Sequence, residues 1–241
     1  GSFFVETLIK KDFSLKLGAT FKRLNMYGSS ASLATTFQDS KYQIEESDFS
    51  SVNSTLKYDT LDNMFFPSDG FLFEGSGELY LTASKYENFN QFLILKANIA
   101  KAFLISKNIS FLVGSEGGFV VGDDEISSLN FGLGGYGYKH FNNNKSFYGY
   151  DFFSLSGDSF VKAYFSADFE FHKRHHINLS GNFANIGSDI FLGKGWLSLP
   201  SYKGYALGYG LETIFGPIEL KFHWSPENDY SGVFVNLGYW F

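Results

Sequence analysis

Histidine is the residue type in this 241-residue sequence best suited to metal binding, and three of its five histidines lie close together. His172, His175 and His176 fall in the segment "HKRHH", where three imidazoles could reach one metal ion. No carboxylate in the segment completes such a ligand set. A basic turn beside lipid headgroups is the better interpretation, so we predict neither a metal site nor a cofactor.

Acidic side chains gather in the segments that separate the hydrophobic runs. They could hold divalent cations beside lipopolysaccharide, but ordinary surface charge on solvated loops is the favoured interpretation. These residues are Glu45, Glu46, Asp48, Asp123, Asp124, Glu125, Glu227 and Asp229.

The sequence contains no arrangement typical of a hydrolase or a nucleotide-binding enzyme. A Gly-x-Ser-x-Gly elbow is absent, and "GKGW" (193–196) lacks the spacing and the Ser/Thr of a phosphate loop. A barrel phospholipase could use a lone Ser–His pair, but His223 has no persuasive partner in the sequence. We therefore expect no enzymatic activity.

Composition excludes several classes of protein. Nineteen Lys and Arg against 25 Asp and Glu give a net charge of -6, which argues against a nucleic-acid partner. Without cysteine, neither disulfides nor thiolate metal sites can form. No apolar run reaches the ~18 residues of a transmembrane helix, whereas 20% aromatic residues and 26 glycines favour strands and turns.

Hydrophobicity alternates with a period of two along most of the chain. In "SFVKAYFSADFEF" (159–171), Val161, Phe165 and Phe169 share an apolar face, whereas Lys162 and Asp168 share a polar one. This pattern predicts strands. We predict twelve of them, at 3–10, 13–25, 30–41, 49–62, 70–84, 90–104, 108–121, 158–171, 176–187, 203–215, 217–225 and 232–241.

Short and long connections follow one another along the chain, which is typical of an outer-membrane barrel. A soluble sandwich would also alternate, but its loops would not sort by length. A bilayer offers no water to unpaired backbone groups, so the strands must close. The sequence predicts an all-β, transmembrane, up-and-down antiparallel β-barrel of about 12 strands in the bacterial outer membrane. The short turns and both termini would be periplasmic.

The last strand ends in a pattern that outer-membrane barrels commonly use as an assembly signal. Apolar or aromatic side chains occupy every second position up to the final residue, at Val235, Leu237, Tyr239 and Phe241.

Three segments resemble one family, the bacterial surface-antigen superfamily of outer-membrane barrels. It includes barrel-assembly and translocation-assembly proteins, two-partner-secretion translocators and patatin-type autotransporters. "FGLGG" (131–135) is similar to the Gly-Gly before its long sixth loop, and "GYGLETIFGPIELKFHW" (208–224) to its penultimate hairpin. "YDTLDNMFFPSDGFLF" (58–73) resembles its periplasmic strand-turn-strand signature, with matching residues Asp59, Asn63, Phe66, Pro67 and Gly70.

The resemblance also implies a loop tip inside the lumen. The family's tip is Arg-Gly-Phe/Tyr, and its arginine pairs with an aspartate on the barrel wall. Here the tip is Phe147, Tyr148, Gly149 and Tyr150, without the arginine, and Asn185 stands at the aspartate position. A neutral plug is implied, in which Tyr148 and Tyr150 hydrogen-bond to lumen residues such as Glu170. The alternative is an extracellular loop with aromatics at the lipid interface.

Family barrels usually have about sixteen strands. The single barrel domain at 1–241 therefore either lacks four strands, closes as a smaller barrel or completes a barrel with a second copy. Gly1-Ser2 resembles an expression scar, so we expect upstream periplasmic or passenger domains to have been removed.

The function implied by the resemblance is that of a translocator or assembly barrel, which inserts, exports or anchors a polypeptide through a weak seam between 3–10 and 232–241. Its expected partners are outer-membrane lipid and lipopolysaccharide, the barrel-assembly machinery, a passenger or client polypeptide and, as a homodimer, a second copy. A passive porin or small-solute channel is the alternative.

Overall fold

The structure is a computed structural model that describes residues 1–25, 46–84, 86, 89–122, 126–137 and 143–239. Eleven long strands form one antiparallel sheet, and three short strands form a second sheet. None of the helices in these ranges is long and apolar enough to cross a membrane. The strands are β1 (Ser2–Lys10), β2 (Phe13–Asn25), β3 (Glu46–Asp59), β4 (Gly70–Ala83), β5 (Phe92–Ser106), β6 (Ile109–Val121), β7 (Phe131–Leu133), β8 (Asn144–Lys145), β9 (Leu155–Gly157), β10 (Ser159–His172), β11 (His175–Gly187), β12 (Tyr202–Thr213), β13 (Gly216–Trp224) and β14 (Ser231–Leu237).

The alternation in the sequence becomes two chemically distinct faces of the large sheet. In β13, Leu220 and Phe222 are exposed on the outer face, whereas Glu219, Lys221 and His223 are buried on the inner face. Exposed apolar and buried polar side chains are the arrangement of a transmembrane barrel. The all-β barrel prediction is confirmed, and the outer apolar band marks the lipid-facing surface.

The connections sort by the end of the sheet at which they lie. At one end are four two-residue turns, at 11–12, 107–108, 173–174 and 214–215, together with the connection 60–69. At the other end are the connections 84–91, 122–158, 188–201 and 225–230. We call these the short-turn end and the long-loop end, which correspond to the predicted periplasmic and extracellular sides.

The strand predicted at 30–41 and the turn "MYGSS" before it lie outside the described residues. β2 pairs directly and antiparallel with β3, as in the register of Phe13 with Tyr58. A strand between them would have made β2 and β3 parallel. The sheet of eleven strands therefore has an odd count in the described part, and β1 and β14 run in the same direction.

This odd count overturns one expectation about the chain ends. Ser2 begins β1 at the long-loop end, whereas Leu237 ends β14 at the short-turn end. The prediction that both termini lie at the short-turn end is wrong for these strands, because one fewer strand changes the direction of β1.

β1 and β14 are the two edges of the sheet in the part of the chain that the structure describes. Every residue of β1 is exposed. In β14, Val235 and Leu237 are exposed on the outer face, and Tyr239 beyond the strand is also exposed. Phe241, the last residue of the predicted assembly signal, lies outside the described residues.

Candidate functional site

The long connection between β6 and β10, residues 122–158, folds onto the inner face of the sheet. Its strands β7, β8 and β9 form the small sheet, and Phe131, Leu133 and Phe147 are fully buried. The ring of Phe131 lies 4.9 Å from that of Phe160 on the inner face of β10. The main apolar core of the protein is therefore the contact between this loop and the barrel wall. We call the loop the plug.

Gly149 at the tip of the plug makes a close backbone contact with the end of β13. Its N–H donates to His223 Nδ1 at 3.1 Å, and its carbonyl accepts from Asn228 Nδ2 at 3.0 Å. Its φ is +72°, and a Cβ would lie 2.2 Å from the nitrogen of Ser225. Both the left-handed backbone and the lack of space require glycine here.

Tyr150 adds a hydrogen-bonded anchor beside Gly149. Its hydroxyl donates to Glu227 at 3.3 Å and accepts from Ser225 Oγ at the same distance. Glu227 also accepts from Lys203 Nζ at 2.8 Å, and this hydrogen bond lowers the pKa of the Glu227 carboxyl. An ionised acceptor strengthens the bond from Tyr150.

Tyr148 places an aromatic ring at the tip of the plug. The ring lies 4.5 Å from that of Tyr136 in the same loop, and Lys221 on β13 places its Nζ 5.8 Å from the Tyr148 centroid. Lys221 also donates to the Tyr136 hydroxyl at 3.0 Å. The cation of this pair is on the barrel wall and the aromatic ring is in the loop. The two attract each other by a cation–π interaction.

A buried ion pair, which sequence reasoning missed, anchors the plug two residues before the tip segment 147–150. Lys145 in the plug pairs with Glu116 on β6, and Lys162 on β10 pairs with the same carboxylate at 2.7 Å. Lys162 also donates to the Ser146 carbonyl at 3.3 Å. A signal was present in the sequence. Lys162 lies between the outward residues Val161 and Ala163, and Glu116 has the opposite parity to Val113 and Phe119, so both charged residues face the lumen.

The structure does not bring Glu170 and Asn185 to the tip. Glu170 lies at the short-turn end, where its carboxylate accepts from the backbone N–H of Arg174 at 2.8 Å. Asn185 shares the outer face of β11 with Ile177 and Leu179, because residues of equal parity on one strand point the same way. The predicted lumen partners are replaced by His223, Lys221 and the 225–230 loop.

The residues of the predicted periplasmic signature shape the connection between β3 and β4. Asp59 Oδ1 accepts from the Leu61 N–H at 3.1 Å, and Asn63 Oδ1 accepts from Phe65 and Phe66 at 2.9 and 3.1 Å. Gly70 has a φ of +114°, while Pro67 is half-buried. Side-chain bonds to the local backbone define the shape of this turn.

The same turn reaches across the short-turn end to strands β11 and β12. Asn63 Nδ2 donates to Glu212 Oε1 at 2.7 Å, and the Phe66 ring stacks on His176. Gly210 leaves room for Phe66, since a Cβ there would lie 2.5 Å from the ring. His176 in turn bonds to Asp168 at 2.6 Å. The turn therefore covers part of the barrel mouth at the short-turn end.

The described residues contain no group of three or more His, Asp or Glu side chains that could hold a metal ion. His175 bonds to the Tyr209 hydroxyl at 2.8 Å, and its ring lies 5.4 Å from that of His172. Asp48 pairs with Arg23 at 2.6 Å, whereas Asp229 is exposed. The remaining acidic candidates, Glu45, Asp123, Asp124, Glu125 and the side chain of Glu46, lie outside the described residues.

Comparisons with known proteins agree on the class of barrel. The family model of the OMP85 superfamily matches residues 1–241, while no curated protein sequence matches the chain. Among solved structures, the crystal structure of BamA from Haemophilus ducreyi lacking POTRA domains 1-3 is similar, with a TM-score of 0.65 at 13% identity. The match covers 98% of this chain and 52% of the BamA chain, so this chain spans about half the length of the BamA chain.

Proposed function

Because this chain belongs to the OMP85 superfamily, and so is a bacterial outer-membrane protein, we propose that it is a translocator or assembly barrel. In this function it inserts, exports or anchors a polypeptide passenger. Residues 1–241 would form its single barrel domain. Its partners would be outer-membrane lipid and lipopolysaccharide, the barrel-assembly machinery and the passenger or client.

The observation that carries the proposal is that β1 and β14 are the two outermost strands of the large sheet in the described part of the chain. A sheet edge presents unpaired N–H and C=O groups that can template another strand. Since β1 and β14 run in the same direction, one strand inserted between them would pair antiparallel with both. A client strand, a strand of a second copy or an odd number of further strands of the same protein would meet this requirement.

The plug supports a translocator over the alternative, a passive porin or small-solute channel. Gly149, Tyr150 and Lys145 fasten the loop to β6 and to the β13–β14 region. A loop held at several points inside the barrel narrows the path for solutes. Planar-bilayer recordings separate the two functions: small, irregular currents favour the plugged translocator, and a stable, solute-selective pore favours the channel.

The proposed strand exchange is tested by locking the edges. One cysteine in β1 and one in β14 would be cross-linked in the full-length protein, and display of an epitope placed before residue 1 would be followed by protease accessibility on intact cells. The chain contains no native cysteine to interfere. Cross-linking β1 to β14 should abolish display of the epitope.

A matched control uses Leu207→Cys with Phe222→Cys, because these residues are already register partners on β12 and β13. Cross-linking them should leave display unchanged. If locking β1 to β14 also leaves display unchanged, opening between these edges has no role in the function.

A further inference from the structure

Asn185 is a polar side chain at a position where the barrel faces lipid. It lies opposite Val161 in the β10–β11 register and on the same face as Leu179, which is 48% exposed. Asn185 itself is only 7% exposed. An amide that faces hydrocarbon without hydrogen-bond partners is costly, so the segment that covers Asn185 must supply those partners.

The cover is the connection 188–201 between β11 and β12. Asn185 Nδ2 donates to the carbonyls of Gly195 and Ser198 at 3.1 and 3.3 Å, and its Oδ1 accepts from the Ser201 N–H at 2.8 Å. These bonds draw the loop back over the outer wall. The loop therefore lies against the outside of the barrel at the long-loop end.

Ring contacts show how far the loop extends around the wall. The Phe191 ring lies 5.4 Å from that of Phe119, an outward-facing residue of β6. Because β10 lies between β6 and β11 in the sheet, the loop passes across the outer face of β10. Ile190 N–H donates to Ser159 Oγ at 3.1 Å and fastens the loop at this crossing.

The loop turns large apolar side chains away from the wall. Leu192 and Leu199 are 83% and 89% exposed, and Leu197 and Trp196 are also exposed. Trp196 lies 5.9 Å from Phe191, so this surface is continuous with the apolar band of the barrel through Phe119. An exposed apolar surface of this kind marks a site that contacts a membrane or another protein.

We propose that connection 188–201 is a membrane-interface anchor, whose apolar face is seated in the outer leaflet of the membrane. Its continuity with the lipid-facing band favours lipid over a protein partner. Tryptophan is typical of the membrane–water interface, and the exposed Lys194 beside Trp196 can extend its ammonium group to lipid phosphates. The anchor widens the lipid contact beyond the strands on one side of the barrel.

The test uses Trp196 as a depth probe. A protein carrying Trp224→Phe and Trp240→Phe keeps Trp196 as its one tryptophan and would be reconstituted into phosphatidylcholine–phosphatidylglycerol vesicles with or without acyl-chain-brominated lipid. We expect brominated lipid to remove most of the Trp196 emission and aqueous iodide to remove little. A protein that keeps Trp224 alone, on the outer face of β13, is the positive control for lipid quenching.

Two results would overturn the proposal. Quenching by iodide but not by brominated lipid would place the loop in water. Protection from both quenchers that rises with the protein-to-lipid ratio would place a second copy on it.

A second measurement decides the question if the tryptophan variants fold poorly. Leu199→Cys should react slowly with a water-soluble maleimide in vesicles, whereas Asp229→Cys, exposed in the 225–230 loop, should react rapidly. Equally rapid labelling at the two positions would refute the anchor. Asn185→Leu removes the bonds that hold the loop, so it should speed labelling at position 199 and leave position 229 unchanged.

Discussion

The ring of Phe66 lies flat on the imidazole of His176, with centroids 4.1 Å apart and an interplanar angle of 9°. Phe66 belongs to the β3–β4 turn and His176 to β11, on a distant part of the sheet. A sheet can bring these residues together only by curving, so this contact shows that the sheet is curved. It also makes the turn a structural part of the short-turn end.

Phe66→Ala should destabilise the barrel. The substitution removes the stack on His176 and leaves a cavity against Gly210, at a cost of about 3 kcal/mol in the free energy of unfolding. Urea titration of the protein in vesicles measures the change. Met64→Ala in the same turn is the control, because Met64 is 69% exposed and should cost little; equal effects would mean that the stack contributes nothing.

Gly149→Ala should displace the tip of the plug. A Cβ would lie 2.2 Å from the backbone of Ser225, which cannot move aside as a flexible side chain could. We expect larger currents in planar bilayers and faster proteolysis of the plug. Gly193→Ala is the matched control, since the nearest atom to its Cβ beyond the flanking residues would be the Asp189 carbonyl oxygen at 3.8 Å. Unchanged currents for Gly149→Ala would show that the tip does not limit flow.

Glu116→Gln should weaken the anchor of the plug on β6. The change leaves Lys145 and Lys162 without their shared carboxylate, which should cost on the order of 3 kcal/mol because Lys162 is buried. Urea titration again gives the value. Asp69→Asn removes an exposed pair with Lys101 and should cost less than about 1 kcal/mol. Similar small losses for both variants would contradict a buried anchor.

The carboxylate of Asp62 should make the β3–β4 turn sensitive to acid. Partial burial raises its pKa, but hydrogen bonds from Ser68 Oγ and from the Ser68 and Asp69 N–H groups outweigh burial and hold the pKa below its ordinary value. A depressed pKa in the folded state means that the ionised group stabilises above the unfolded-state pKa of ~3.9. That stability is lost as the pH falls through the folded-state pKa.

The quantity to measure is the difference in unfolding free energy between the wild-type protein and Asp62→Asn. This difference should shrink as the pH falls from neutral through the folded-state pKa of Asp62. Ser68→Ala removes one donor and should reduce the pH dependence. A difference that stays constant with pH would show that this carboxylate does not couple to folding.

Most of the large sheet could be predicted because alternation is a local property. Val161, Phe165 and Phe169 need only their neighbours to reveal an outer face, and all eleven strands of the sheet correspond to predicted segments. The direction of β1 could not be obtained in this way. It depends on the direct pairing of β2 with β3, a contact between distant residues that the local alternation at 30–41 does not reveal.

The site was less predictable because its contacts join distant residues. The family resemblance indicated Gly149 as the tip, but His223 and Asn228 become its partners only through the packing of the plug on β13. For Asn185 a local signal existed: it has the same parity as Leu179 and Phe183. Gly181 and Ser180 weaken the alternation of β11, and this obscured the outward direction of Asn185.

Residues 145–149 fasten the middle of the wall to its C-terminal edge, since Lys145 binds β6 while Gly149 binds the end of β13. Outward movement of the last hairpin would stretch this five-residue tether. Release of the tip must therefore come before such a movement. Breaking the hydrogen bonds that join Gly149 to His223 and Asn228 would be the kinetic barrier to that release. Under the proposed function, opening at the edge is therefore an ordered two-step event.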